Sequence, residues 1–438
     1  MTKTQTTGTW GLLAIVTLAL GGCATGPGED GGIVSRFRDT TQSLFAADRE
    51  AQAESSAIIA DLKARRSALP PGGSFDRVAR AVLEADSRTQ ATELRGARLR
   101  AQAAAKNWLP RVGPEITLTS LDDVVSRLLV EQVLFDHGRK KAERAFAAAD
   151  VEVAAVKLAE ATNDRLAEAL SLYLDAAEAR ERVGLERRAL RDMQEFERIM
   201  RERVRGGISD RSDLDVVRQK LAEIRAELSA QREVATTGLA ELNAMSVHPL
   251  DEVEGLSDVR VAAGDAVPLE VLAAEAMRAR DIARARIDRA DQLPGVTAGG
   301  SLGDDGSGMG LQLGGDGLLG LGTGARLKAI EAQKEAASRR VRQAKEDADR
   351  DLRRMDQRLV ALSRQVAETS ELARRAKSTL ELFQAQYENG QRQVMDVVGV
   401  YETFAQRQRD HVARKHELAQ TRLEVARHLG LLADGSEI

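Results

Sequence analysis

The longest stretch without a helix breaker limits the fold more than any other feature of this chain. The stretch runs from Gly138 to Arg205 and contains no proline and one internal glycine, Gly184. At 1.5 Å per residue, such a helix is on the order of 100 Å long. A second stretch, from about Ala325 to Glu388, has the same character. Because helices of this length do not fit inside an ordinary globular domain, the sequence predicts long helical rods.

Composition supports rods more than compact domains. Aromatic residues make up 3% of the chain and charged residues 30%, which is typical of long helices and coiled coils. The core is therefore expected to be thin and lined with alanine. The net charge is -4, and basic and acidic side chains alternate along the same helices. This pattern provides no basic face for nucleic acid, which we exclude as a partner.

The second long helix carries a regular apolar seam. Its positions alternate at spacings of three and four residues over more than four heptads, which predicts coiled-coil packing. The seam consists of Leu352, Met355, Leu359, Leu362, Val366, Thr369, Ala373, Ala376, Leu380 and Phe383.

Two parts of the chain repeat the same order of elements. The pair Leu109-Pro110 recurs as Leu293-Pro294, and each pair opens a strand-like segment that leads into a long helix. After each long helix, segments 207–213 and 390–396 both run from Gly to Asp. The offset between the two Leu-Pro pairs is almost the same as the offset between these two segments. Agreement at two separate places predicts a tandem repeat.

The predicted division of the chain follows from these signals. Each repeat contains a helix (about Phe75–Asn107 in the first), a strand pair, a long helix, a Gly turn and a returning helix. The boundaries are repeat 1 at 75–245 with strands at 109–135 and a long helix at 138–205, a linker at 246–267, repeat 2 at 268–432 with strands at 295–321 and a long helix at 325–388, and a tail at 433–438.

The segment that ends at Cys23 reads as an export signal. Lys3 precedes a short apolar run, Trp10 to Leu20, which is too short for a membrane span. The ending Leu20-Gly21-Gly22-Cys23 resembles the lipobox of bacterial lipoproteins, so that Cys23 becomes a lipidated N-terminus. On this interpretation residues 1–22 are the signal peptide, 23–33 a flexible Gly-rich tether and 34–74 an N-terminal segment. The alternative is an accidental cysteine after an apolar run.

Several segments of the chain together resemble the TolC family of outer-membrane efflux and secretion channels. The resemblance covers roughly residues 75 to 432, and it rests on the order and doubling of the motifs. They are Gln132–Arg139 before the first long helix, the turns Arg203–Leu214 and Tyr387–Val398, and the closing Leu429-Gly430-Leu431-Leu432.

The resemblance implies a mainly α fold in which long coiled-coil helices form an α-helical barrel in a homotrimer. Two short β-hairpins per chain would contribute to a small β-barrel held in outer-membrane lipid. Function would then be that of a passive exit duct of a tripartite efflux or type I secretion system, anchored by lipid with most of the chain in the periplasm. Its implied partners are a periplasmic adaptor and an inner-membrane transporter.

The resemblance also implies roles for the two Gly turns. Tyr387, Arg392, Asp396 and Asp213 match positions of a closing gate at the periplasmic tip. Gly206, Gly207, Ile208, Ser209, Gly390 and Gln391 form the turns on which an adaptor would dock. The family's second acidic position after Asp396 is Gly399 here. The alternative is that these charges only cap helices and solvate the turns.

The second strand pair departs from the family pattern. Residues 295–324 contain thirteen glycines and no aromatic residue, whereas membrane strands usually carry aromatic girdles. Two interpretations stay open. Either the barrel is minimal and depends on the lipid at Cys23, or the strands do not fully penetrate the membrane.

Signatures of an enzyme, a metal site or a cofactor site are poor. His411 and His416 are five residues apart rather than the four that would place both on one helical face. The sequence Gly315–Gly320 matches the glycine pattern of a dinucleotide-binding fingerprint. The match is by chance, because the sequence around it does not predict the alternating strands and helices that such a site needs. We therefore expect no enzyme, no metal and no cofactor. The alternative function is a periplasmic coiled-coil structural or adaptor-like lipoprotein without a pore.

Overall fold

The computed structural model describes residues 57–85, 89–120, 123–261, 264, 266–303, 306–314 and 320–437. The predicted signal peptide, the tether and Cys23 lie outside these residues. None of the helices within the described ranges combines the length and the apolar composition needed to cross a bilayer.

Eight α-helices and four β-strands make up the described ranges, together with a short 3-10 turn near the C-terminus. In chain order they are α1 (Ala57–Ala64), α2 (Ser74–Glu84), α3 (Thr89–Ala104), β1 (Arg111–Ser120), β2 (Asp123–Phe135), α4 (Arg139–Arg205), α5 (Arg211–Ala244), α6 (Leu269–Ala290), β3 (Gly295–Gly303), β4 (Gly306–Gly314), α7 (Thr323–Glu388) and α8 (Val394–His428).

The two predicted rods are confirmed. Helix α4 has 67 residues and α7 has 66. Gly184 does not interrupt α4, and a side chain at that position would meet no atom within 4 Å. The rods form because alanine, leucine, glutamate and arginine, which favour helix, fill them almost completely.

Each rod packs against shorter helices placed one after the other along it. Helix α4 contacts α5 and α8 along one part of its length and α3 and α6 along another, while α7 contacts α6 and α8. The predicted seam of α7 is confirmed, because all ten of its residues are buried or half-buried. Leu352, for example, packs with Val425 and Leu429 at the end of α8.

The predicted single helix over about Phe75–Asn107 is wrong, since the structure has two helices, α2 and α3, in its place. Phe75 and Val82 of α2 are fully buried in a cluster with Tyr173 of α4. The Phe75 and Tyr173 rings meet edge to face at 5.9 Å, and the Tyr173 hydroxyl donates to Gly255 O at 2.7 Å. This packing fixes α2 and the linker against the middle of α4.

The residues just after α1 are tied to the C-terminal end of α8. The buried Arg65 guanidinium donates to Leu429 O at 2.6 Å and to Val267 O at 2.8 Å. Ala68 N donates to Leu431 O at 2.8 Å. Asn163 Oδ1 of α4 accepts from Leu432 N at 2.9 Å. Carbonyl groups left free at the helix end therefore find partners in other segments.

Both predicted hairpins are present, but they form one sheet. The strand order is β1-β2-β3-β4, and every neighbouring pair is antiparallel. Pairing between β2 and β3 joins segments that are far apart along the chain, and it leaves no local signal in the sequence.

Candidate functional site

The two Gly turns have the same backbone geometry. Gly207 and Gly390 adopt φ of 71° and 73°, the left-handed region that glycine enters without strain. Ile208 N donates to Arg203 O, and Gln391 N donates to Gln386 O, each at 2.8 Å. This bond between the second residue past the helix and its last turn is the Schellman motif. Both long helices therefore end in one kind of turn.

A side-chain hydrogen bond closes each turn between equivalent positions. In the first turn Arg203 Nε donates to Ser209 Oγ at 3.1 Å. In the second turn Arg392 Nε donates to Gln386 Oε1, also at 3.1 Å. Positions 386 and 392 are the equivalents of positions 203 and 209 in the repeat. The arginine therefore precedes the first turn, as Arg203, but follows the second turn, as Arg392.

Arg392 and Tyr387, two of the predicted gate residues, have contacts within their own chain. The Arg392 guanidinium lies 4.4 Å from the centroid of the Phe383 ring, an attractive cation–π distance. Tyr387 is half-buried against the apolar cluster that joins α4, α5, α7 and α8 near the turns. In a single chain, Arg392 is thus held over the end of α7.

The two predicted gate aspartates stand at equivalent helix starts but differ in role. Asp396 completes a capping box with Gln393 at the start of α8: Gln393 N donates to Asp396 Oδ2 at 3.2 Å, and the Gln393 side chain accepts from the Asp396 backbone. Helix α5 has Asp210 at its N-cap and no side-chain cap bond. Asp213 therefore lies in the first turn of α5 without the bond that Asp396 makes.

The predicted docking residues form exposed turn tips. Gly206, Gly207, Gly390 and Gln391 are exposed, and Ser209 is half-buried where it accepts from Arg203. Ile208 is a large apolar side chain that is 67% exposed. The first tip is thus partly apolar, whereas the second is polar.

The sheet has two chemically different faces. Side chains alternate along a strand, and directly paired residues of antiparallel strands share a face, so the register assigns every described residue to one side. One face, called here the apolar face, is interrupted only by Ser126, Gln132 and Ser307. Its other described members include Val112, Pro114, Ile116, Leu128, Val130, Phe135, Val296, Ala298, Gly300, Leu302, Met309, Leu311 and Leu313.

The opposite side, called here the polar face, carries charges on β1 and β2 and glycines on β3 and β4. One rung of paired residues reads Arg111, Glu131, Gly299 and Gly310 across the four strands. A second rung reads Glu115, Arg127, Gly303 and Gly306. Leu129 and Val133 are apolar residues on this face.

The apolar face is exposed in the isolated chain. Met309, Leu311 and Leu313 are 97%, 74% and 78% exposed, and Ile116 on β1 is 69% exposed. An apolar area of this extent on one side of a sheet marks a surface that water does not normally cover. All the glycines of β3 and β4 except Gly300 therefore lie on the polar face.

A polar network between α4 and α8 has no counterpart in the sequence analysis. Glu186, 1% exposed, pairs with Arg409 at 2.6 Å, and the Tyr401 hydroxyl donates to Asp192 Oδ2 at 2.9 Å. The Glu186 and Arg409 positions are 223 residues apart, so no local spacing could reveal this pair.

Further along the same helices, Glu181 meets two basic side chains of α8. His416 Nε2 lies 3.1 Å and Lys415 Nζ 2.7 Å from Glu181 Oε2. The hydrogen bond with His416, together with the hydrogen bond and positive charge of Lys415, lowers the pKa of Glu181 to about 2. An open groove of about 770 Å³ runs nearby between α5 and α8, where Lys220 bridges Glu223 and Glu402.

Solved structures of outer-membrane proteins match the chain over most of its length. The outer membrane protein VceC from Vibrio cholerae aligns with a TM-score of 0.71 and 16% identity, covering 81% of this chain and 96% of that one. A membrane protein from Pseudomonas aeruginosa gives 0.72 and 17%, covering 86% and 93%. The MtrE outer membrane channel of Neisseria gonorrhoeae gives 0.62 and 17%, covering 85% and 94%.

No protein-family model and no curated protein sequence matches the chain. At these low identities the structural likeness establishes the fold. The chain therefore has the fold of the outer-membrane channels, which confirms the fold implied by its resemblance to the TolC family.

Proposed function

We propose that this protein is a passive exit duct of the outer membrane, working in a tripartite efflux or type I secretion system. The two-faced sheet carries the proposal. A sheet with one apolar and one polar face suits a wall between lipid and water, and the long helices would extend the same passage through the periplasm. Likeness to channel structures supports this assignment over that of an enzyme.

A homotrimer, which the resemblance to the TolC family implies, would also close the free edges of the sheet. Strands β1 and β4 each lack a neighbour on one side within the described sheet, and an open sheet edge is not tolerated in lipid. Three copies with four strands each would close a barrel of twelve strands. Helix α7 supports the same arrangement, since seven of its 66 residues are buried compared with 23 of 67 in α4. Its exposed apolar residues Val360, Leu372 and Leu382 would then lie against a second copy.

Oligomeric state and conductance test the duct. We expect the purified protein in detergent to be a trimer and to give stepwise conductance in a planar bilayer. The rival function, a coiled-coil rod or adaptor-like lipoprotein without a pore, predicts no conductance and gives no reason for an apolar sheet face. A monomer that conducts no ions would overturn the duct proposal.

Lipid at Cys23 would add an anchor to the outer membrane. The proposal rests on the lipobox-like ending of the signal segment, which lies outside the described residues. Wild-type protein should incorporate radioactive palmitate and Cys23→Ala should not. Equal labelling of the two proteins would contradict the lipidation.

The Gly turns would form the periplasmic end of the duct and its gate. Tyr387, Arg392, Asp396 and Asp213 would hold the turns of three chains together while the duct is closed. If so, Arg392→Ala should raise the fraction of time that single channels spend open. An unchanged open fraction would contradict the gate. It would favour the alternative that these charges only cap helices and solvate the turns.

An adaptor, itself working with an inner-membrane transporter, would dock on the turn tips. Photocrosslinkers placed at Ile208 and Gln391, both exposed, should capture this adaptor in cells. Glu241, exposed at the far end of α5, is the matched control position and should not capture it. Equal capture from all three positions would contradict docking on the turns.

A further inference from the structure

The polar face of the sheet is divided into two halves of different chemistry. On β1 and β2, Arg111 lies opposite Glu131 and Glu115 lies opposite Arg127, two cross-strand pairs of opposite charge. On β3 and β4, the paired positions across the same rungs are glycines. Each chain therefore places a charged half beside a half in which seven of the ten positions are glycine and the other three are Thr297, Ser301 and Gln312.

Local geometry does not explain Gly299 and Gly310, the paired glycines of β3 and β4. Strands disfavour glycine, which usually marks a bulge, a turn or a close approach of other atoms. At Gly303 such a reason exists, because a Cβ there would meet Arg127 Cγ at 2.6 Å. At Gly299 and Gly310, however, a Cβ would meet no atom within 4 Å, and neither residue has a positive φ. Larger side chains would fit in the single chain at both positions.

The size of the proposed barrel can explain why glycine occupies these two positions. A barrel of about eight strands is filled by its own inward side chains, whereas about sixteen strands leave a water-filled channel. Three chains of four strands would give twelve, between these limits. In a barrel of that size the width of the lumen depends on the volume of the inward side chains.

We propose that the polar face lines the lumen, where Gly299 and Gly310 set the width of the passage and the Arg–Glu pairs determine which charges pass. This inference rests on the proposed duct. The glycine half leaves space for bulky cargo. The two described Arg–Glu pairs carry two positive and two negative groups per chain, so their charges cancel and the pairs favour neither anions nor cations.

Conductance tests the role of the glycines. Gly299→Leu and Gly310→Leu add side chains to the polar face and should lower single-channel conductance by about twofold or more. Ala298→Leu is the matched control, because Ala298 neighbours Gly299 but lies on the apolar face opposite Leu311. It should leave conductance unchanged. Equal conductance of all three variants and the wild type would overturn the inference.

Ion selectivity tests the role of the charges. In a salt gradient the wild-type channel should show a reversal potential near zero. Replacing both glutamates (Glu115→Gln with Glu131→Gln) should make it anion-selective, and replacing both arginines (Arg111→Gln with Arg127→Gln) should make it cation-selective. If neither double variant shifts the reversal potential, the charged half does not line the lumen.

The outcomes of these experiments distinguish failure of the proposed lumen lining from failure of the proposed duct. A wild-type protein without conductance would refute the duct and the lining together. A conducting wild type whose leucine variants conduct equally well would refute the lining alone. Leucine variants that no longer form trimers, while Ala298→Leu does, would place the glycine half in a contact between copies and also overturn the lining.

Discussion

Asp396 and Gln393 cap the start of α8 reciprocally. Gln393 N donates to Asp396 Oδ2 at 3.2 Å, while the Gln393 side chain accepts from the backbone of Asp396. Two donors at the helix N-terminus are thereby satisfied, and the Asp396 carboxylate also lies at the positive end of the helix dipole. Asp396 is thus a helix-capping residue at the start of α8.

Removing this carboxylate should destabilise the turn region. We expect Asp396→Ala to lower the free energy of unfolding by about 1 kcal/mol, the usual value of an N-terminal cap. Asp213→Ala is the matched control, since α5 has no side-chain cap bond, and should cost less. Chemical denaturation followed by helical circular dichroism measures both. Equal losses for the two variants would contradict the capping role.

Breaking the buried pair between α4 and α8 should cost more. Arg409→Ala leaves the Glu186 carboxylate, whose side chain is 2% exposed, without its cation. Such an unpaired buried charge typically costs about 3–5 kcal/mol. A double variant, Glu186→Leu with Arg409→Leu, removes both charges and should recover much of the loss. If the double variant is as unstable as Arg409→Ala, the pair does more than neutralise a buried charge.

Stability should fall as pH rises towards neutrality because of Glu152. This residue is 5% exposed on α4, and burial raises the pKa of its carboxyl from 4.5 to about 7. Between these values the folded chain keeps a proton that the unfolded chain has lost, so stability decreases with pH across this window. Glu152→Gln should therefore be more stable than the wild type at pH 8, by on the order of 2 kcal/mol, and similar to it at pH 4.

The exposed Glu168 on the same helix provides the control for this prediction. Glu168→Gln makes the same substitution on the exposed side of α4, so it measures the effect of the substitution without burial. Denaturation curves at pH 4, 6 and 8 compare the three proteins. If the difference in unfolding free energy between Glu152→Gln and the wild type is the same at pH 4 and pH 8, the burial argument is contradicted.

The two faces of the sheet predict opposite responses to charge. Leu311→Arg puts a charge on the apolar face and should reduce membrane insertion, since arginine on a lipid-facing strand costs about 2–4 kcal/mol near the bilayer centre. Gln312→Arg, one residue along β4, faces the other side and should insert normally. Membrane fractionation compares them, and equal insertion would mean that the apolar face does not contact lipid.

Much of the fold could be predicted because its signals are local. The long helices follow from residues that favour helix between Gly138 and the turn at Gly207, and the seam of α7 follows from heptad spacing. The break between α2 and α3 could not be found this way, because α2 is fixed by distant contacts with Tyr173. The same holds for Glu186 and Arg409, which only the packed fold brings together.

The sheet shows a signal that was present and misinterpreted. Gly308 and Gly310 alternate with Met309 and Leu311, which is the period of a two-faced strand. In the sequence the alternation extends only over Met309–Leu313, which is short for a membrane strand. Assigning each position to a face needs the register, and the register comes from pairing between strands.

The swapped arginines of the two turns have an evolutionary consequence. If the two halves of this chain arose by duplication, the hydrogen bond across the turn has been kept although both residues that form it have changed. Arg203 with Ser209 and Gln386 with Arg392 share no amino acid at equivalent positions, yet both close a turn at 3.1 Å. Related proteins can therefore keep this hydrogen bond across the turn even where an alignment shows no identical residue at either position.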